Sequence, residues 1–250
     1  MRTSVAVVRN WRLIRADGWD GQMNAASLVK QVIGHIALEV VDNLDEHVDG
    51  DITVRHVLSH TTGLPNWRPE GEELVPLRPP GVRWGYSGEG FVLLQRHLER
   101  RTGEPIDRLA RTLIFDRFEM SDTRLDEPEP GFHGFRALLT TATDYGRFLA
   151  RVLAIDDQRW EPQWRIDDEL AWGAGWGLEL GPPVYGWQWG SNPDARNFVI
   201  GCPTNGDGVV VFTDSPDGEA MYRLVVEREL PGDHASLRVD HNPKWVELFA

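Results

Sequence analysis

Runs of β-type residues lie at both ends of the chain. Residues 4–8 (SVAVV) and 11–16 (WRLIRA) are two such runs, and Arg9-Asn10 between them predicts a hairpin. After about residue 170 the chain shows four more runs separated by turn residues, at 173–180, 184–189, 197–201 and 209–213. Both ends of the chain are therefore predicted to supply strands.

Helical spacing dominates the middle of the chain. Apolar residues recur about every four positions from Leu28 to Leu44, which predicts an amphipathic helix with Asn24 as its cap. Residues 66–83 are rich in Pro, Gly and Glu and are expected to form a loop. Further helices are predicted at 52–60, 90–101, 105–113, 143–153 (capped by Thr143-Asp144) and 219–229.

Strands at both ends with helices between them predict an α+β fold. We expect one antiparallel sheet built from the N- and C-terminal segments, flanked by helices and carrying a mainly helical insertion. The sheet subdomain is predicted to comprise residues 1–23 and 170–250, and the helical subdomain residues 24–169, within one compact unit.

Charge and composition narrow the class of partner. The 26 Lys and Arg residues stand against 39 Asp and Glu, a formal net charge of −13, so nucleic acid and anionic membrane surfaces are not expected partners. No signal-like segment or long apolar stretch is evident, which predicts a cytoplasmic protein. Cys202 is the single cysteine and is expected to be a buried, inert thiol. Only two of the basic residues are lysines, Lys30 and Lys244.

Ser27 and Lys30 are three residues apart at the start of the long predicted helix, so their side chains share one face. Serine needs a base to become a nucleophile, and a partly desolvated lysine can lose its proton, which arginine cannot. The helix N-terminus adds N–H groups suited to an oxyanion. The alternative, a capping serine beside a solvated lysine, is equally compatible with these two residues alone.

Two other segments carry candidate chemistry. The segment WGYSGEG (84–90) places Tyr86 in a glycine-rich loop before a helix, where a phenol can pass a proton to a leaving group. The segment QWGS (188–191) is a strand end followed by a turn and is able to present backbone N–H groups to a substrate. His56 and His60 are four residues apart, but Val57 replaces the glutamate of an HExxH site, so a structural pair is favoured over a metal site. No metal and no cofactor are expected.

In their order along the chain these segments resemble the superfamily of serine β-lactamases, DD-peptidases and esterases, near the class C enzymes and family VIII carboxylesterases. ASLVK (26–30) resembles the nucleophile motif, ITVRHVLSHTTGLP (52–65) the second block, and YSG (86–88) the Tyr-x-Asn motif. The segment 138–148 resembles a helix start of that family, and 190–193 and 208–214 resemble the last strands of its sheet. The resemblance extends from about residue 24 to 230.

The resemblance implies a role for each matching residue. Ser27 is expected to be acylated, with Lys30 and Tyr86 as proton-transfer groups. The backbone N–H groups of Ser27 and Ser191 are expected to form the oxyanion hole, in a substrate-binding region that also includes Gln188, Trp189, Gly190 and Gly88. The family's β-lactamase-like fold is implied as well.

Three features depart from the family pattern. Gly88 replaces an asparagine, and Gln188 replaces a lysine or histidine that engages a substrate carboxylate. The segment before Ser27 is shorter than usual, so part of the sheet or site wall is expected to be absent or supplied by another subunit. Because a neutral ester does not need a cation at 188, the sequence favours a carboxylesterase-like serine hydrolase acting on a small ester or amide. A β-lactamase, a D-aminopeptidase or DD-peptidase, and a non-catalytic binding protein are the alternatives, and the oligomeric state is left open.

Overall fold

The computed structural model describes residues 1–128 and 131–241, with side chains as far as residue 239. Lys244 and the C-terminal end of the predicted sheet subdomain lie outside the described residues. No helix in the described part of the chain is both long and apolar enough to cross a bilayer.

An eight-stranded antiparallel sheet is built from the two ends of the chain, as predicted. The strands of the described chain are β1 (Thr3–Arg9), β2 (Arg12–Gly18), β3 (Met23–Asn24), β4 (His47–Asp49), β5 (Ile52–Thr53), β6 (Arg124–Asp126), β7 (Ala137–Thr140), β8 (Trp164–Arg165), β9 (Leu170–Trp172), β10 (Gly177–Glu179), β11 (Tyr185–Asn192), β12 (Ala195–Cys202) and β13 (Asp207–Thr213). The strand order of the large sheet is β2-β1-β13-β12-β11-β10-β9-β8, and two small sheets have the orders β3-β7-β6 and β4-β5.

Five of the six α-helices in the described chain lie in the segment between the two groups of strands, which confirms the α+β class. A 3-10 turn at Ala26–Leu28 precedes the first α-helix, and a π-helical turn at Arg111–Phe115 follows the fourth. The α-helices are α1 (Val29–Val40), α2 (Val54–Leu58), α3 (Gly88–Thr102), α4 (Ile106–Ala110), α5 (Ala142–Leu153) and α6 (Glu219–Glu229).

The large sheet has a core on both faces because alternate residues of its strands point to opposite sides. Ala6 and Val210 pair across β1 and β13 and belong to the core on the α5 side. The next pair, Val7 and Val209, belongs to the core on the α6 side with Val226. Each fully buried aliphatic side chain contributes about 1.5–3 kcal/mol. Cys202 is buried and free, as expected.

Several predicted helix limits were wrong because local hydrogen bonds end or begin the helices elsewhere. Helix α1 ends at Val40 rather than Leu44, and Asn24 does not cap it. The predicted helix 52–60 divides into β5 and the short α2, and Thr53 is the cap of α2. Helix α5 is capped by Thr141, whose hydroxyl accepts from the Asp144 N–H, so Thr143-Asp144 is not the cap.

Two predicted β features had different outcomes. The hairpin of β1 and β2 is confirmed, and positive φ at Asn10 and Trp11 provides the tight turn. The single strand predicted at 173–180 is wrong, because residues 173–176 form a turn that joins β9 to β10. Gly175 adopts φ +88 in that turn, a conformation that favours glycine.

Candidate active site

A strained turn presents Ser27 at the start of α1. Ala26, immediately before it, adopts φ +49, which is uncommon for a residue with a side chain. Asn24 supports this turn because its Oδ1 accepts from the Ala26 N–H at 2.8 Å. The Ala25 N–H donates to Leu138 O at 2.9 Å, which ties the turn to β7. The turn is therefore held by local and tertiary bonds together.

The large sheet fixes the same turn from its other side. The buried Asn197 of β12 donates from Nδ2 to Asn24 O at 2.9 Å and accepts the Thr213 N–H at 3.0 Å. Gly190 of β11 lies so close to the turn that a Cβ there would be 2.5 Å from Ala25 O. Asn197 was not predictable as a site residue, since a single asparagine in a strand carries no motif.

The Ser27 and Lys30 side chains are in hydrogen-bond contact, with 3.3 Å between Oγ and Nζ. Lys30 is only 2% exposed, and burial lowers its pKa from an ordinary 10.5 to about 7. Its Nζ lies 5.0–5.8 Å from the ring centroids of Tyr86, Phe135, Trp67 and Phe91. Rings at this distance stabilise an ammonium without a carboxylate. The buried position contradicts the alternative of a solvated lysine.

Tyr86 reaches the same point from the loop before α3. Its hydroxyl is hydrogen-bonded to the Ser27 side chain, and it accepts from Gln188 Nε2 at 3.0 Å. Gln188 Nε2 also donates to Trp189 O at 3.0 Å, which fixes the nitrogen side of the carboxamide. Burial raises the pKa of the Tyr86 phenol above its ordinary value of 10. The phenol therefore keeps its proton at neutral pH, beside the Ser27 side chain.

The His60 ring packs against the ring of Tyr86. The two ring centroids are 4.2 Å apart, and His60 Nδ1 accepts the Ser87 N–H at 3.1 Å. Burial, with a smaller contribution from Lys30, lowers the pKa of His60 well below its ordinary value. His56 makes separate contacts with Thr53 in the cap of α2. The described residues contain no group of His, Cys, Asp or Glu side chains able to hold a metal ion.

The segment 188–191 lies beside the 3-10 turn. In the described part of the chain, the pairing of β11 with β10 is limited to Tyr185–Trp187. Beyond Trp187, strand β11 packs against the 3-10 turn instead of β10. Gln188 is buried against Tyr86, and the Trp189 ring stacks on Tyr86 at 5.5 Å. Ser191 lies farther along the strand and borders the same cavity as Ser27. The fold thus brings the residues singled out from the sequence to one place.

Gly88 does not line the cavity itself but packs against Trp67, which does. A Cβ at this position would lie 2.3 Å from the Trp67 ring, so the indole occupies the space of a side chain at 88. No sequence motif pointed to Trp67, because its partner is a glycine 21 positions later.

The cavity above Ser27, called the Ser27 cavity below, has a volume of about 40 Å³. Its walls are mainly apolar and include Trp67, Phe132 and Phe135. Arg136 also borders it, but its guanidinium is ion-paired with Asp107 and Glu127. These pairs raise the pKa of Arg136 above its ordinary value.

The antiparallel sheet, the helical segment and the buried serine–lysine pair together define the class of β-lactamase-like serine hydrolases. A profile of the Beta-lactamase family matches residues 23–229. The chain belongs to that family, and with it to the superfamily of serine β-lactamases and DD-peptidases.

Known proteins resemble the chain to different extents. Penicillin-binding protein 4* of Bacillus subtilis (strain 168) is 29% identical over 109 residues, which are 34% of this chain and 24% of that relative. The match therefore spans about a quarter of the relative's length. The structure of a β-lactamase/D-alanine carboxypeptidase from Pseudomonas syringae aligns with TM-score 0.75 and 12% identity over 94% of each chain. A D-stereospecific amidohydrolase from Streptomyces sp. aligns with TM-score 0.70 and 17% identity over 93% of this chain and 94% of its own. The two structures show the fold.

Proposed function

We propose that the protein is a serine hydrolase that cleaves a small neutral ester or amide through an acyl-enzyme on Ser27, with Lys30 as base and Tyr86 as acid. The observation that carries this proposal is that Lys30 and Tyr86 both contact the Ser27 side chain, and that Ser27 and Lys30 border the Ser27 cavity. Lys30, with a pKa of about 7, is largely unprotonated in mildly basic solution, whereas the Tyr86 phenol is protonated. This difference separates the roles of base and acid.

In acylation, Ser27 Oγ bonds to the substrate carbonyl carbon while its proton moves to Lys30 Nζ. The carbonyl oxygen becomes an oxyanion, for which the backbone N–H groups of Ser27 and Ser191 are the proposed donors. As the bond to the leaving group breaks, that group takes the Tyr86 proton, and the proton held by Lys30 restores the phenol. Water then attacks the acyl carbon and gives one proton to Lys30. The bond from the acyl carbon to Ser27 Oγ breaks, the acid product leaves, and Ser27 Oγ takes the proton from Lys30. Enzyme and proton count return to their starting state.

The charges around the site favour a neutral substrate. Gln188 is uncharged, and Arg136 is already paired with two carboxylates. Binding a substrate carboxylate here would require breaking those pairs or burying a second charge, which is costly. We therefore rank a neutral ester as a better candidate substrate than a β-lactam or a peptide with a free C-terminus. These last two are the substrate types suggested by the names of the similar proteins.

The test is Ser27-dependent chemistry. Wild type is expected to react with a fluorophosphonate probe and to hydrolyse p-nitrophenyl acetate faster than nitrocefin. Ser27→Ala should abolish labelling and turnover, and Lys30→Ala should abolish turnover. Ser121→Ala, which removes a hydroxyl from an exposed serine, is the matched control and should behave as wild type. Undiminished labelling of Ser27→Ala, or a folded wild type with neither labelling nor turnover, would overturn the proposal.

A further inference from the structure

Trp67 and Gly88 are sterically complementary. The indole stands where a side chain at 88 would be, with 2.3 Å between a Cβ built at 88 and Trp67 Cζ2. The same indole borders the Ser27 cavity and makes an edge contact with Phe132, with ring centroids 4.8 Å apart. The Trp67 ring therefore fills the space of a side chain at position 88, where the family pattern has an asparagine.

Backbone bonds hold the segment that carries Trp67 against the start of α3. Asn66 O accepts the N–H groups of Gly88 and Glu89 at 2.9 and 3.0 Å. Asn66 Oδ1 is a further acceptor for the Gly88 N–H at 3.1 Å. The residue before Trp67 is thus fixed to the helix that follows Tyr86.

A group of polar side chains around the buried Glu89 fixes the residue on the other side of Trp67. The Glu89 carboxylate, which is buried, accepts from the Arg68 N–H and from Arg68 Nη1, each at 3.1 Å. His133 Nε2 bonds to Arg68 O at 2.8 Å, and it lies 3.5 Å from Glu89. His133 is adjacent to Phe132, so these side chains link the segment that carries Trp67 to the segment that carries Phe132. A buried carboxylate is stable only when it is well paired. Glu89 takes no part in the proposed reaction.

We propose that Trp67, held in place by Glu89, Arg68 and His133, limits the acyl group of the substrate to a short apolar chain. The inference rests on the proposed function, since it concerns the acyl group bound to Ser27. The backbone is anchored on both sides of Trp67, and its indole packs against Gly88 and Phe132, so it cannot move aside for a longer chain without disrupting these contacts. The apolar ring faces favour a hydrocarbon acyl group over a polar one.

The test compares kcat/KM for p-nitrophenyl acetate, butanoate and octanoate. Trp67→Ala is expected to raise the octanoate-to-acetate ratio by about tenfold or more, and Trp67→Phe by less. Gly88→Asn alone should lower the yield of folded protein, whereas Gly88→Asn combined with Trp67→Ala should fold and recover the preference for acetate. Val75→Ala, in the same loop but exposed, is the control and should leave the ratio unchanged.

The outcomes separate this inference from the proposed function. An unchanged chain-length ratio in folded, active Trp67→Ala or Trp67→Phe would overturn the role of Trp67 while leaving Ser27 chemistry in place. A folded and active Gly88→Asn single variant would contradict the steric relation between positions 88 and 67. Absence of Ser27-dependent turnover in wild type would overturn the proposed function, and the inference with it.

Discussion

Replacing Lys30 by methionine is expected to stabilise the fold near neutral pH. Methionine has a similar length and fills the same space without a charge. Lowering a pKa from 10.5 to about 7 corresponds to about 5 kcal/mol between the two protonation states. Removing the hydrogen bond to Ser27 costs about 1 kcal/mol, which leaves a gain of about 4 kcal/mol at pH 6.

The sign of the pH dependence follows from proton binding. Between pH 7 and 10.5 the unfolded chain carries a proton on Lys30 that the folded chain has lost, so the wild type gains stability as pH rises. Lys30→Met has no such proton, and its advantage should shrink by about 2–3 kcal/mol between pH 6 and pH 9.

Urea unfolding followed by tryptophan fluorescence at pH 6 and pH 9 measures both effects. Ser27→Ala is the matched control, because it loses the same hydrogen bond but keeps the buried amine and should keep the pH dependence of the wild type. The reasoning is refuted if Lys30→Met is less stable than the wild type at pH 6, or if the difference does not change with pH.

Three further outcomes are expected. The kcat/KM for a neutral ester should rise with pH through about 7 and then level, because the proposed base, Lys30, would act in its unprotonated form; a flat profile from pH 5 to 9 would contradict Lys30 as the base. Gln188→Leu removes the hydrogen-bond donor to Tyr86 and should lower kcat by about tenfold or more while the fold is retained. Turnover of the acetate ester measures this, and an unchanged kcat would show that the phenol does not need the Gln188 hydrogen bond. Gly190→Ala places a Cβ 2.5 Å from Ala25 O and should cost about 1–3 kcal/mol in urea unfolding and slow probe labelling. The exposed Gly181→Ala is its control, and equal effects of the two variants would argue against the close approach.

The sequence pattern was sufficient for the class of fold but not for the helix limits. Apolar spacing continues to Leu44 because Leu44 is buried after the helix has ended. The spacing reports burial of a side chain, and it cannot report where the backbone hydrogen bonds change. The division into subdomains at residues 23 and 170 is still a prediction, whereas the sheet formed by both chain ends is confirmed.

The candidate site was predictable where chemistry depends on local spacing. Ser27 and Lys30 share one helical face, and the scarcity of lysine drew attention to position 30. The sequence did not predict that the Lys30 amine lies among four aromatic rings. Those rings come from separate segments, so no periodicity relates them.

By itself, the sequence determined the α+β class, the serine and lysine on one helix face and an uncharged residue at 188. Only the tertiary structure decided the environment of those groups: a pKa of about 7 for Lys30, a protonated Tyr86 beside Ser27, and an indole in place of a side chain at 88. The physical reason is that residue type and spacing fix which groups can react. Desolvation and steric contact are sums over neighbours from distant parts of the chain, and these exist only once the chain has folded.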